Sequence, residues 1–453
     1  MHSSIVKNIA FPLHEKLLKR PTISYADELE KSQWLTRDEI ELIQRKKLKQ
    51  LLNLATTHCP WHEQRIIEAN LDLSAHNLLT LEDLTKIPTM SKQDAQIHGD
   101  TMTWLGAPGG AYKYTTGGSS GTPLNFHFGK WRQASDAAGR IRARRGWGID
   151  IGDKEVYLWG APVELAKTDT VKQVRDRLMN QVLLNAFDMS PTTMTQYLQT
   201  IQQYQPKCMY GYASSLALLA KFAQSTEQKI NIPSLKVIFT TGEPLYPDQR
   251  KIIQKIFQVP VANEFGSRDI GFTAHESPAG QMLLMSESHI LEILNNEGQP
   301  VKNGETGEAV ITGLCSQAQP FIRYRTGDMI TATNETCKEG RGLHVLGEVL
   351  GRSTDFIIKQ DGTILHALAV IYVLRAIKGV ESFKIIQHSK KELEVQIVPN
   401  SLWQKEARQK IIEQLQQRMG NINIEINCLD SIPPEKSGKH RYVVSHVPLP
   451  TSF

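Results

Sequence analysis

The segment YTTGGSSGTP, Tyr114 to Pro123, interleaves three glycines (Gly117, Gly118, Gly121) with four hydroxyl side chains (Thr115, Thr116, Ser119, Ser120). Glycine lets backbone N–H groups turn inward and approach a ligand, and hydroxyls add neutral donors suited to phosphate oxygens. The segment follows a strand-like run, Tyr112–Thr116, and has the make-up of a polyphosphate grip. It is not a Walker loop, because Thr122 and Pro123 stand where a lysine and a hydroxyl residue are needed. Taken alone, such a loop is more often a flexible connector.

Five later segments are also chemically loaded. TTGEPL (Thr240–Leu245) ends a buried strand, and its glycine brings backbone close to a ligand with Glu243 in the loop. EFGSRDIG (Glu264–Gly271) reads as strand then loop, presenting Phe265 as an aromatic face and Asp269 as a carboxylate. FIRYRTGD (Phe321–Asp328) puts Asp328 in a turn after an edge-like strand, where a carboxylate can bridge two adjacent hydroxyls, as on a ribose. GEVLGRSTDFI (Gly347–Ile357) offers Arg352 to a sugar or phosphate, and PPEKSGKHR (Pro433–Arg441) carries Lys439 in a glycine-containing loop. Singly, these are a turn aspartate, a surface arginine and a solvated lysine. Their order and spacing as a set are what inform.

That order resembles the adenylate-forming superfamily of acyl-CoA synthetases, luciferases and peptide-synthetase adenylation domains. The closer similarity is to its phenylacetate–CoA ligase-like branch, especially the capsule-biosynthesis (CapK-type) proteins. It spans almost the whole chain and includes KSQWLTRDEIELIQRKKLKQLLNLA and the following IPTMSKQD. The resemblance implies that Thr115, Thr116, Gly117, Gly118, Ser119, Ser120 and Gly121 close over the β- and γ-phosphates of ATP. Gly242, Glu243 and Pro244 would lie beside adenine and the acyl pocket, with Gly266 and Tyr212 nearby and Phe265 in place of the usual stacking tyrosine. Asp269 would take the place of the glutamate that helps hold Mg²⁺. Asp328 would bind the ribose hydroxyls, assisted by Arg352. Ser353, Thr354 and Asp355 would form the hinge of a small mobile domain, and Lys439 would bridge carboxylate and α-phosphate during adenylation.

The implied chemistry is coherent. A carboxylate attacks the α-phosphorus, pyrophosphate leaves, and Mg²⁺ and a lysine offset the accumulating charge. The acyl group then passes to the thiol of CoA or a carrier protein. Alternatives are transfer to an amine or hydroxyl, for instance on a nucleotide sugar, or a non-catalytic nucleotide-binding relative. Three positions depart from the commonest pattern: Thr122 lacks the loop lysine's charge, Asp269 is one methylene short, and Thr354 replaces a frequent hinge aspartate. Some relatives carry a Cys/His metal cluster after the aromatic loop. Here Ser277 and Met282 occupy that stretch, and His275, Cys315 and Cys337 restore no clear ligand set, so no zinc is expected.

The elements that must position these residues read as an α/β protein. Residues 1–350 are expected to form a large adenylation domain, mainly helical over 1–105, with amphipathic Ile40–Leu54. From about 110 to 275, strands Glu155–Trp159, Cys208–Gly211 and Leu235–Thr240 alternate with helices Ser214–Ala223 and Asp248–Phe257, which argues for layered parallel or mixed sheets. From 281 to about 349, short strands Met282–Ser286, Ile290–Leu294, Glu308–Thr312 and Phe321–Arg325 suggest a small antiparallel sheet or barrel. Residues 351–355 are the hinge. A small α+β domain, 356–453, follows: a hairpin Phe356–Leu365 turning at Asp361–Gly362, a helix Ala367–Ile377, strands Ser382–His388 and Glu392–Val398, a helix Leu402–Met419 and a strand Ile422–Cys428. The acid pocket should be lined by Tyr210–Ser215 and Phe239–Pro244, with Trp159–Ala161 nearby.

At 453 residues the chain exceeds a single small core. Its net charge of +5 is a mild excess. Arg45–Lys47 and the Arg140–Arg145 cluster read as solvated helix faces, so no nucleic-acid partner is inferred. Five scattered cysteines give no disulfide framework and read as reduced. Without a signal sequence or a long apolar run, no membrane insertion is expected, and the protein reads as cytoplasmic.

Overall fold

Thr36 opens the longest helix, Arg37–His58, through a reciprocal capping box. Its hydroxyl accepts from the Glu39 N–H at 3.3 Å, and the Glu39 carboxylate accepts from the Thr36 N–H at 2.9 Å. Ile40, Leu48, Leu51, Leu52 and Ala55 fall on one face of that helix and are buried. The Pro60–Glu68 helix follows at once, with proline in its first turn. An earlier helix, Thr22–Ser32, packs Tyr25, Ala26 and Leu29 against Ala138 and Ala143 of the Lys130–Gly146 helix. Arg37 donates to the carbonyls of Gly342 (2.9 Å) and Leu343 (2.8 Å), strapping the N-terminal helices to a distant part of the chain. The computed structural model describes residues 1–74, 79–116, 124–159, 169–186, 189–352, 356–361, 364–366, 368–433 and 441–447.

Strands β1 (Tyr112–Thr115) and β2 (Asn125–Phe128) pair antiparallel and bracket the glycine-rich segment. Next come β3 (Glu155–Trp159), β4 (Gln181–Asn185), β5 (Cys208–Gly211), β6 (Val237–Thr240) and β7 (Val261–Ser267), all in parallel. β8 (Gly271–Glu276) and β9 (Met282–Leu284) turn antiparallel. Helices Pro191–Tyr204, Ala213–Ser225 and Pro247–Phe257 cover one sheet face. They close a core of Val156, Leu158, Met209, Leu216, Ile238 and Ile253. Burial on both faces explains why β5 and β6 read as short unbroken buried runs.

β10 (His289–Leu294), β11 (Thr306–Gly313) and β12 (Tyr324–Thr331) form a second, antiparallel sheet. The two-residue β13 (Val345–Leu346) returns to the first sheet, giving the order β13-β9-β8-β7-β6-β5-β3-β4. β14 (Val349–Arg352) completes the second as β10-β11-β12-β14.

Three expectations need correction. Met282–Leu284 belongs to the large sheet, because it pairs with β8 and β13 and with neither β10 nor β11. The strand expected at Phe321–Arg325 runs instead from Tyr324 to Thr331 and lies inside its sheet. It passes through Gly327 as a bulge, so Asp328 sits in a paired strand and not in a turn after an edge. The Arg140–Arg145 cluster is not a solvated face. Arg142 ion-pairs with Glu287 at 2.6 Å and Arg144 with Glu155 at 2.7 Å, all four buried.

The C-terminal segment opens with a hairpin of β15 (Phe356–Ile358) and β16 (Ile364–His366), then the Leu368–Arg375 helix. β17 (Val380–Ser389), β18 (Glu392–Pro399), β19 (Asn423–Cys428) and β20 (Val443–Ser445) form a mixed sheet in the order β19-β18-β17-β20. The Glu406–Met419 helix starts four residues after the expected Leu402, which is 65% exposed, and buries Ile411, Leu415 and Met419. Arg375 meets Asp248 at 2.6 Å, and Tyr442 packs against Tyr246 at 5.7 Å between ring centres. The C-terminal segment therefore docks beside the start of the Pro247–Phe257 helix. Among the described residues, no helix is long and apolar enough to cross a membrane.

Candidate active site

Parallel α/β sheets place loops, and hence ligands, at the carboxyl ends of their strands. Here the ends of β5, β6 and β7 gather the expected pocket. Tyr212 follows β5 and stacks on Trp159 at the end of β3, ring centres 4.2 Å apart and 20° from parallel. Gly242, just beyond β6, has φ +80°, and a Cβ there would lie 3.2 Å from the Tyr212 ring. The turn therefore requires glycine twice over, for its backbone and for the close approach. Glu243 accepts a hydrogen bond from the Ser214 N–H in the first turn of the Ala213–Ser225 helix. That anchors the loop through a carboxylate at a helix N-terminus, and Pro244 continues the bend.

Between β7 and β8 lies a tight turn carrying Arg268 and Asp269. Arg132, on the Lys130–Gly146 helix, donates at 2.6 Å to the carbonyls of both residues and fixes the turn. The Asp269 carboxylate is buried and accepts from Ser267 and from the Tyr324 hydroxyl, the latter at 2.8 Å. Arg268 reaches the Thr115 carbonyl at 3.4 Å and lies 5.6 Å from the Tyr114 ring centre. A guanidinium thus stands at the base of the glycine-rich segment. Phe265 keeps 9% exposure within a cluster containing Phe126, Ala274 and Tyr324, and Gly266 forms a register shift opposite β8.

Thr116 closes the stem of the segment. Its N–H donates to the Leu124 carbonyl and its hydroxyl accepts from the Leu124 N–H, both at 2.9 Å. Thr115 ends β1. Gly117, Gly118, Ser119, Ser120, Gly121 and Thr122 lie outside the described residues. So do Ser353, Thr354, Asp355, Lys439 and the Gly160–Ala161 part of the expected pocket. Asp328 and Arg352, 24 residues apart in sequence, stand directly opposite each other across β12 and β14.

On the sheet face beneath these loops, Glu264 and Tyr210 meet Arg140. Burial pushes the Glu264 carboxyl above the usual carboxylate range, against the pull of Arg140 and Arg144. The Tyr210 hydroxyl is likewise raised by burial. Burial opposes the charge on Arg140, but Tyr210 and Glu264 hold its pKa above the ordinary value. Tyr210 was expected to line the acid pocket, whereas Arg140, Glu264, Arg132, Arg268 and Tyr324 were given no role by the sequence. Glu264 and Arg268 had a local signal, their place in the segment that carries Asp269.

A hard cation such as Mg²⁺ takes oxygen ligands. Each Asp269 oxygen already accepts one hydrogen bond and retains further lone-pair capacity. Among the described residues no group of three or more His, Cys, Asp or Glu could hold a metal ion. The residues present fit a cation only as a partial ligand set, with phosphate oxygens and water completing it.

Comparison with known proteins gives this geometry a family. The family model for the CapK C-terminal domain matches residues 357–446. Protein CapK of Staphylococcus aureus is 21% identical over 98% of each chain. A phenylacetate–coenzyme A ligase of Thermus thermophilus is 26% identical over 79% of each. Over most of its length the chain is similar to the CapK and phenylacetate–CoA ligase-like branch of the adenylate-forming superfamily. The fold of this chain also matches that of 2-hydroxyisobutyryl-CoA ligase crystallised in a postadenylation state with its acyl-AMP. The TM-score is 0.73 at 21% identity, covering 91% of each chain. Thr241 ties the β6 loop to β7, and Asp269 ties the β7–β8 turn to the start of β12.

Proposed function

We propose that this protein activates a carboxylic acid with ATP, releasing pyrophosphate, and passes the acyl group from the adenylate to a thiol of CoA or a carrier protein. The observation that carries the reading is the linked set Thr115–Arg268–Asp269–Tyr324, continued along β12 to Asp328 opposite Arg352. It supplies, in order, a phosphate-loop stem, a cation, a carboxylate for Mg²⁺ and a ribose-binding pair. Asp328 takes the ribose hydroxyls and Arg352 assists. Gly242–Pro244 and Tyr212 flank adenine and acid, and Phe265 borders the base. Asp269 would help hold Mg²⁺, which would offset charge on the phosphate oxygens.

Arg268 offers a guanidinium near the phosphates, in a chain whose glycine-rich segment lacks a lysine. Lys439 bridges the acid carboxylate and the α-phosphate, and the attacking carboxylate needs no base. Residues 1–350 form the ATP- and acid-binding domain. Ser353–Asp355 is the pivot of the small domain, residues 356–453, whose rotation withdraws Lys439 before thiol transfer. The reaction would run in the cytoplasm.

Carboxylate-dependent exchange of labelled pyrophosphate into ATP tests the first step. Exchange should depend on added acid and vanish in Lys439→Ala, while Ser119→Ala keeps a measurable rate. Exchange unaltered by Lys439→Ala overturns the reading. Consumption of the adenylate by CoA, against an amine or hydroxyl acceptor, then identifies the second step.

A further inference from the structure

Arg140 and Glu264 form an ionic pair that the adenylation chemistry does not use. Arg140 projects from the Lys130–Gly146 helix, and Glu264 from β7, two residues before the β7–β8 register shift is complete. Their closest approach, Nε to Oε2, is 3.7 Å, too long for a hydrogen bond. Among the described residues, neither oxygen of Glu264 nor the buried Nε of Arg140 has a hydrogen-bond partner, although the Glu264 side chain is only 2% exposed. The adjacent Arg142 and Arg144 are bound closely to carboxylates, whereas Arg140 keeps 37% of its side chain accessible. It lies 5.8 Å from the Tyr210 ring centre and 5.1 Å from that of Phe272.

The pair lies next to the loops already described. Thr241 donates a hydrogen bond to the Glu264 carbonyl at 3.3 Å, and its side chain also engages the Tyr210 hydroxyl. Gly242 and Glu243 follow directly. Buried polar groups in native proteins are ordinarily satisfied, and one that is not, directly behind a binding loop, points to something it binds.

We infer that Arg140 and Glu264 form the specificity end of the acid pocket and select a carboxylic acid bearing a neutral hydrogen-bonding group, a hydroxyl above all. This rests on the adenylation reading above and deepens it. A hydroxyl can donate to a Glu264 oxygen and accept from an Arg140 N–H at once, satisfying both partners without adding charge. A second carboxylate would gain Arg140 but face Glu264, and the two anions would repel. A purely apolar acid would leave both groups without partners, and sites built to bind a substrate hydroxyl discriminate strongly against analogues that lack it.

The test is pyrophosphate exchange over matched pairs of short aliphatic, aryl and sugar acids, each hydroxylated acid beside its deoxy counterpart. For the best pair, kcat/KM should favour the hydroxylated acid by at least about tenfold. In an Arg140→Met/Glu264→Leu double variant that preference should disappear through the KM for the acid, with the KM for ATP unmoved. Replacing a buried pair by apolar residues of similar size is commonly tolerated by the fold. Should the double variant fail to fold, the wild-type ratio alone decides. Exchange that favours deoxy acids equally or better overturns this inference while leaving adenylation standing. Absence of exchange with every acid overturns the adenylation reading and this inference with it.

Discussion

Arg268 stands where the glycine-rich segment lacks a charge of its own. Its guanidinium is within 3.4 Å of the Thr115 carbonyl, at the mouth of a run in which Thr122 replaces a lysine. Removing a charge-assisted contact to phosphate costs about 1.5–3 kcal/mol, or roughly tenfold or more in affinity. Arg268→Met should therefore raise the KM for ATP by about that factor and leave the KM for the acid nearly unchanged; steady-state exchange kinetics at varied ATP measure it. An unchanged KM for ATP would assign Arg268 to holding Thr115 alone.

Asp269, Asp328 and Arg352 stand out in the sequence as candidates because each sits in a local motif. Arg132 and Tyr324 do not. Arg132 reaches Asp269 across 137 residues and Tyr324 reaches it across 55, separations that no local pattern encodes. The same holds for Arg140, which reads as one basic residue among several on a helix and acquires its character only when β7 brings Glu264 beneath it.

At the scale of elements, the β6 loop shows how closely backbone and side chains are matched. Gly242 adopts φ +80°, a region that costs an L-residue about 1–2 kcal/mol, and a Cβ there would crowd the Tyr212 ring at 3.2 Å. Gly242→Ala should lower stability by at least about that amount and displace the Tyr212–Trp159 stack. Urea unfolding gives the first quantity and tryptophan fluorescence reports the second. A variant with wild-type midpoint and emission would mean the loop tolerates a side chain after all.

Alternating strands and helices were readable from 110 to 275 because buried parallel strands and amphipathic helices have distinct periods. The Gln181–Asn185 edge strand escaped notice, and β12 was misplaced by three residues at its start because a glycine inside a strand reads as its end. The helix at Lys130–Gly146 was mistaken for a solvated surface, since arginines satisfied by buried carboxylates look in sequence like arginines satisfied by water.

Across the whole molecule, buried histidines set how the fold responds to acid. His62 is fixed as a neutral tautomer: its Nδ1 faces Arg65 at 2.9 Å while Nε2 donates to the Pro320 carbonyl at 2.9 Å. Burial, then Arg65, pushes its pKa down to about 3. Burial likewise takes His275 to about 3 and His344 to about 4. All three lie below the unfolded value near 6.5, so the unfolded chain binds more protons and stability falls as pH drops from about 6.5 toward 4. Each contributes a slope of up to about 1.4 kcal/mol per pH unit in that window. Glu264, raised by burial, acts in the opposite sense. Carboxylates with depressed pKa values act only nearer pH 4. The midpoint of thermal unfolding should decline between pH 7 and pH 5, before acid denaturation by carboxylates begins; a flat profile over that interval would contradict neutral burial of these rings.

The strap from Arg37 to Gly342 and Leu343 joins residues 305 and 306 apart. Tyr25 reaches Ser288 across 263. At about 5–20 residues per second, a ribosome needs roughly 15–60 s to synthesise that interval. The apolar faces of the first long helices are therefore made early and covered late. Nascent chains of this protein spend that time with Leu48, Leu51 and Leu52 awaiting Ile290, Leu314 and Ile322, their eventual neighbours. Helices that sit at the start of the sequence are among the last to find their place.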